Sequence, residues 1–169
     1  MSDPVDICQL ELCRAESRVK YEHLIQVNDP NDPAITPLTR TQLWNGLLVR
    51  TENPEDFVYG LDSMRVRTRG EGFMERELHF GTHIINDLVK FIVNESVHYS
   101  IEPSPEFPAS HLHIHIEEPG LEHLFLRFSY ETVTVDGAEY EDFVKQAYFE
   151  SDLDTVQRIR ALAANGLLD

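Results

Sequence analysis

The sequence predicts an α+β domain in which one long, curved antiparallel sheet packs against a single C-terminal helix. Two observations carry this. An unbroken run of six alternating apolar and polar stretches lies between residues 62 and 132, separated by glycine, proline and asparagine. Two apolar-faced helical segments bracket that run, a short one around Leu38–Leu48 and one of about seven turns from Ala138 to Ala164. A sheet that must cover one helix is concave, and the space between helix and sheet is a natural pocket.

Each element has its own local reason. From Lys20 to Val27 the residues Tyr21, His23, Ile25 and Val27 take one face of a strand, which Asn28-Asp29-Pro30-Asn31-Asp32-Pro33 then breaks. Thr39 is an N-cap with Gln42 three residues on, a capping-box pattern, and Leu43, Trp44, Leu47 and Leu48 follow at helical spacing. Asn53 caps a second short helix with Pro54 first and Glu55 and Asp56 in its positive end. Strands are expected at about 62–69, 72–80, 83–93, 96–102, 111–117 and 121–132. With the first strand they make seven.

Turn chemistry sets the pairing. Gly81-Thr82 suits a two-residue type II′ turn, which places Phe80 opposite His83, Leu78 opposite Ile85, Arg76 opposite Asp87 and Met74 opposite Val89. Arg76 and Asp87 then lie on the apolar face. Asn94-Glu95-Ser96 is read as a three-residue loop pairing Val93 with Val97, Phe91 with Tyr99 and Val89 with Ile101. One concave wall follows from Met74, Leu78, Phe80, Ile85, Val89, Phe91, Val97, Tyr99 and Ile101. In the last strand Leu124, Leu126, Phe128 and Tyr130 form the more apolar face, while a two-residue turn at Pro119-Gly120 would turn Phe125 and Arg127 inward instead.

On the long helix Tyr140, Phe143, Val144, Ala147, Tyr148, Ser151, Thr155, Ile159 and Leu162 make one stripe. Phe149, Leu153 and Val156 make a second, which wants a partner of its own: the N-terminal segment, or another copy in a homodimer. Asn165-Gly166 ends the helix with a left-handed cap.

Composition narrows the function. The 169 residues suit one domain, with residues 1–17 an N-terminal extension and 18–169 the fold. Hydrophobic residues at 41% and charged residues at 26% are globular values. Thirty acidic against fourteen basic residues give a formal net charge of −16, a field that repels nucleic acid and anionic membranes. Cys8 and Cys13, five apart, match neither a zinc knuckle nor a redox pair and read as free thiols in a reducing cytoplasm. No stretch reads as a signal peptide or a membrane span, so a soluble cytoplasmic protein is expected.

The order strand, two short helices, six-stranded meander and long helix resembles the helix-grip fold of START domains and birch-pollen-allergen relatives, the SRPBCC superfamily. One branch, the AtaL-like family, is resembled more closely. The matching stretches are Tyr21–Pro30, Leu38–Arg50 around Gln42-Leu43-Trp44-Asn45-Gly46-Leu47, Arg76–Gly81, Ile116–Pro119, Ala147-Tyr148 through Asp154-Thr155 to Ile159-Arg160, and Gly166–Leu168. The resemblance covers residues 20–169. It implies a helix-grip fold with an internal cavity; superfamily members bind lipids, sterols, polyketides and hormones, and some cyclise polyketides. The branch carries no settled activity to place on residues.

The expected function is a cavity that holds a mostly apolar molecule by one polar end. Arg76 and Asp87 are its candidate anchor, because a charge pair on an inner wall persists only if well paired or completed by a ligand. His23 is a candidate donor or proton carrier, and Tyr99 and Tyr148 offer hydroxyls. Phe91, Val89 and Thr155 complete the expected lining. His111, His113 and His115 share one strand face with His98 beside them, opposite Leu112, Ile114 and Ile116, so they point outward and no metal site or cofactor is expected. No Gly-x-Ser-x-Gly elbow, Walker loop or Gly-x-Gly-x-x-Gly motif is present. Two rivals remain: a cofactor-free cyclase or isomerase using His23, Arg76 and Asp87, and an interaction protein with a filled core.

Overall fold

The computed structural model describes residues 17–134 and 138–169. Both cysteines, in the N-terminal extension, lie outside the described residues, as does the side chain of Tyr140. The elements are β1 (Ser17–Gln26), α1 (Arg40–Glu52), a 3-10 turn (Pro54–Asp56), β2 (Ser63–Gly70), β3 (Phe73–Phe80), β4 (His83–Ile92), β5 (Ser96–Ile101), β6 (Ser110–Gly120), β7 (His123–Thr134) and α2 (Ala138–Ala164). The strands form one antiparallel sheet in the order β1-β7-β6-β5-β4-β3-β2. This is the helix-grip arrangement: a meander whose last strand returns to pair with the first. Among the described residues no helix is long and apolar enough to cross a membrane.

The local signals act as their chemistry requires. Thr39 Oγ1 accepts from Gln42 N at 3.0 Å and Gln42 Oε1 accepts from Thr39 N at 3.0 Å, so the capping box satisfies two donors at the start of α1. Gly81 takes φ +58 and β3 pairs with β4 in the register that turn demands, Arg76 opposite Asp87. At the end of α2 the Leu167 N–H reaches Leu162 O and the Gly166 N–H reaches Ala163 O, with Gly166 at φ +68, a Schellman closure.

Two expectations need correction. The β4–β5 loop is Val93-Asn94-Glu95, with Ile92 opposite Ser96, Phe91 opposite Val97 and Val89 opposite Tyr99. Asn94 supplies the left-handed residue at φ +57, which glycine or asparagine tolerates best. The slip is two residues, so every side chain keeps its face and the concave wall survives. The β6–β7 turn is Leu121-Glu122, following an irregularity between Glu117 and Gly120, and it leaves Leu124, Leu126 and Phe128 buried with Tyr130 on their face.

The second correction concerns α2. Val156 is buried in the core at 5% exposure, and Phe149 and Leu153 pack against that core, while Phe143 is 71% exposed and Ala147 and Ser151 face out. The stripe thought to be spare is therefore part of the inner face, with Val156 buried and Phe149 and Leu153 left only partly exposed. The cause is Asp152: a carboxylate in the middle of the true inward face, which hydrophobic periodicity counts against that face.

Candidate ligand-binding cavity

The N-terminal half of α2 and one end of the sheet flank a half-open cavity of about 450 Å³. β1 contributes Val19 and Tyr21, β4 Ile85, β5 Ile101, the β5–β6 connection Phe107 and Pro108, and α2 Val144 and Tyr148. Polar lining comes from Ser110, Thr132, Glu141 and Lys145. A volume of this size lies in the range of small-molecule sites, and its walls are mostly apolar as such sites are.

A polar cluster adjoins it at the tyrosines. Tyr130 stacks on Tyr148 at 4.3 Å and on Tyr21 at 5.0 Å between ring centroids. The Tyr130 hydroxyl donates to Asp152 Oδ2 at 2.7 Å. His23 Nε2 stands 2.9 Å from the same oxygen but off the line along which its ring nitrogen would bond, so the two touch without forming a hydrogen bond. His23 is held by rings on two sides, Phe128 at 5.4 Å and Phe149 edge-on at 5.2 Å.

Burial and the nearby Asp152 carboxylate both raise the Tyr130 pKa far above the ordinary phenol value. Tyr21 is raised by burial first, then by Tyr148 and Asp152. Both phenols therefore stay protonated and act as hydrogen-bond groups. For Arg50 burial works against the charge, but Tyr99, Tyr130 and Asp152 outweigh it and hold the guanidinium above its usual value. It stays cationic.

Arg76 and Asp87 form a second cluster. Arg76 Nε donates to Asp87 Oδ1 at 2.9 Å, Nη2 donates to Oδ2, and Nη1 donates to Thr51 O at 2.8 Å. The last bond satisfies a carbonyl in the final turn of α1. Thr51 Oγ1 donates to Leu47 O at 3.0 Å, which leaves Tyr99 as the donor in the 2.7 Å contact with Thr51 Oγ1. Arg50 and Arg76 sit over the Tyr99 ring at 5.0 and 5.2 Å. Three of Arg76's five donors are thus engaged inside the protein.

Of the residues singled out from sequence, Tyr148 lines the cavity and His23 lies in the adjoining cluster. Arg76, Asp87 and Tyr99 form the second cluster. Val89 is in the core, Phe91 meets Trp44 edge-on at 6.5 Å, and Thr155 is buried on α2 with its hydroxyl donating to Ser151 O. None of these last six lines the cavity. Arg50, Tyr130 and Asp152 were missed. The available signal for Asp152 was its position four residues after Tyr148 and three before Thr155, one helical face.

The histidines lie on the convex face as expected, His98 opposite His113 across β5 and β6 with rings 5.7 Å apart. Among the described residues no group of three or more His, Cys, Asp or Glu is placed to hold a metal ion.

Comparison with known proteins agrees with this architecture. The structure is similar to the ZhuI aromatase/cyclase from Streptomyces sp. R1128, with TM-score 0.65 and 13% identity over 88% of this chain and 96% of that one. It is similar to Ara h 8.0201, with TM-score 0.60 and 12% identity over 88% and 99%. It is also similar to norcoclaurine synthase from Thalictrum flavum, with TM-score 0.58 and 10% identity over 89% and 98%. At such identities the likeness is one of fold. No curated protein matches the chain by sequence. A family model described as acetylaranotin biosynthesis cluster protein L, AtaL, matches residues 25–166, and with the helix-grip fold around them the chain belongs to that SRPBCC-type family.

Proposed function

We propose that the protein binds a small, mostly apolar molecule in the cavity between α2 and the sheet, its polar end directed toward Tyr21 and Tyr148. The observation that carries this is the cavity itself: about 450 Å³ with apolar walls from Val19, Ile85, Ile101, Phe107 and Val144. The neighbours' names, aromatase/cyclase and norcoclaurine synthase, support a small-molecule role for the same space. Arg76 fits less well as the anchor than sequence reasoning held, because its donors turn to Asp87 and Thr51.

A second reading, cofactor-free catalysis, draws on the His23–Asp152 contact beside the cavity wall, since an imidazole next to a carboxylate is a proton-transfer pair.

Native mass spectrometry of the purified chain for a co-purifying small molecule, together with titration of a neutral fluorescent probe such as N-phenyl-1-naphthylamine, tests the binding reading. Val144→Trp should fill the cavity and weaken the probe about tenfold or more with little change in Tm. Equal affinity in the folded variant, or no binding by the wild type, would sink it.

A further inference from the structure

Buried polar atoms in native proteins almost always have hydrogen-bond partners, so those that lack one need a reason. Among the described residues five do: Tyr21 Oη, His23 Nε2, Arg50 Nε, Asn86 Oδ1 and Asp152 Oδ1. Scattered orphans would mean little. Tyr21, His23 and Asp152 belong to a single cluster, and Arg50, seated over Tyr99 between this cluster and that of Arg76, lies within reach of the Asp152 charge. His23 Nε2 is 2.9 Å from Asp152 Oδ2, Tyr21 stacks on the tyrosine that donates to Asp152, and the Asp152 charge acts on both Tyr21 and Arg50. Tyr21 is also a wall residue of the cavity. It is the residue common to both.

The orphan atoms specify their missing partner. Arg50 Nε only donates, Asp152 Oδ1 only accepts, and the Tyr21 hydroxyl and His23 nitrogen do either. A group placed among them must accept from one side and donate to the other. A carboxylate would take the Arg50 bond but face the Asp152 carboxylate, and an ammonium would meet the reverse conflict. A neutral hydroxyl satisfies both. The body attached to it is read from the neighbouring rings: Tyr21 and Tyr148 line that end of the cavity, and Tyr130 packs against both at 5.0 and 4.3 Å.

Resting on the cavity reading above, we propose that Tyr21, His23, Arg50 and Asp152 form a head-group subsite behind the cavity wall at Tyr21, and that they select a neutral phenolic hydroxyl over a carboxylate. Hydroxyl recognition of this kind discriminates strongly, because an analogue lacking the hydroxyl leaves the subsite's polar groups unpaired.

Three probes with one two-ring body test it on the whole chain by fluorescence titration: 2-naphthol, naphthalene and 2-naphthoate. Naphthol should bind about tenfold tighter than naphthalene, and naphthoate no tighter than naphthalene. Tyr21→Phe keeps the stacked ring and removes one hydroxyl; it should shrink the advantage of naphthol by about threefold or more and leave naphthalene unchanged. Asp152→Asn should shrink it further if circular dichroism shows the variant folded; if it does not fold, Tyr21→Phe decides alone. Naphthol binding no tighter than naphthalene, naphthoate binding tightest, or a full naphthol advantage in Tyr21→Phe each overturns the head-group subsite while the cavity reading stands. Failure of all three probes to bind overturns the cavity reading and this one with it.

Discussion

At the scale of single residues the decisive fact is that two polar clusters share one interior and differ in how completely they are paired. Arg76 and Asp87, at 3% and 4% exposure, pair with each other and with the Thr51 carbonyl at the end of α1. Arg76→Met removes the cation and leaves a buried carboxylate and that carbonyl without it. Such a break costs about 3–5 kcal/mol, whereas replacing both partners by apolar residues is often neutral. Urea unfolding should therefore show a large loss for Arg76→Met and substantial recovery for Arg76→Met with Asp87→Leu, with probe affinity unchanged in whatever remains folded. Equal losses in the single and double variants would mean that the pair is not what matters there. The Arg76–Asp87 pairing was legible because a glycine turn only a few residues away fixes it. His23 and Asp152 are at opposite ends of the sequence, and only the angle at which α2 crosses the sheet brings them together.

Among the elements, register and rotation separate what local chemistry determines from what packing determines. The β4–β5 hairpin slipped by two residues because two three-residue loops were open to the chain, and the winning one puts Asn94 at the left-handed position. The inward face of α2 differs from the expected one because Asp152, buried in its middle, carries the charge of a surface residue. β5 and β6 offer a test on the convex face. His98 has its pKa lowered by burial first, then by His113, His111 and Lys90; His113 is lowered by burial and by His115, with Glu95 opposing. Both imidazoles bind protons less readily in the fold than in the unfolded chain. Their contribution is therefore fully present above the ordinary histidine value of about 6.5 and is lost as pH falls through it toward the lowered folded values. Replacing both by threonine, which suits an exposed strand, should leave Tm at pH 7.5 nearly unchanged and reduce its fall between pH 7.5 and 5.5. Differential scanning fluorimetry reads this directly, and identical slopes would count against it.

Across the whole molecule, the cavity depends on where α1 holds α2. Gly46 faces Ile159 so closely that a Cβ there would stand 2.5 Å from Ile159 Cγ2 and 2.8 Å from Cγ1, nearer than side chains approach. The chain end adds a second tie, with Gln42 Nε2 donating to Asp169 Oδ1 at 2.7 Å and Asn45 Nδ2 donating to Leu168 O at 3.0 Å. Gly46→Ala gains about 1 kcal/mol of helix propensity but forces the helices apart, an overpacking cost of about 1–3 kcal/mol. Stability should fall modestly. Ile159→Ala alone empties a fully buried site and should cost about 2–5 kcal/mol. Combined, the two should cost less than their sum, because the new methyl occupies the space the isoleucine leaves. The same substitution reaches the ligand. Ile159 and the cavity residues Val144 and Tyr148 share α2, and a helix moves as a stiff rod, so a displacement at Gly46 carries to the cavity wall. Gly46→Ala should therefore lower naphthalene affinity together with Tm, whereas Arg76→Met should lower Tm alone. An affinity untouched by Gly46→Ala while Tm falls would show that the cavity end of α2 adjusts independently of α1, and that its position is fixed by the sheet.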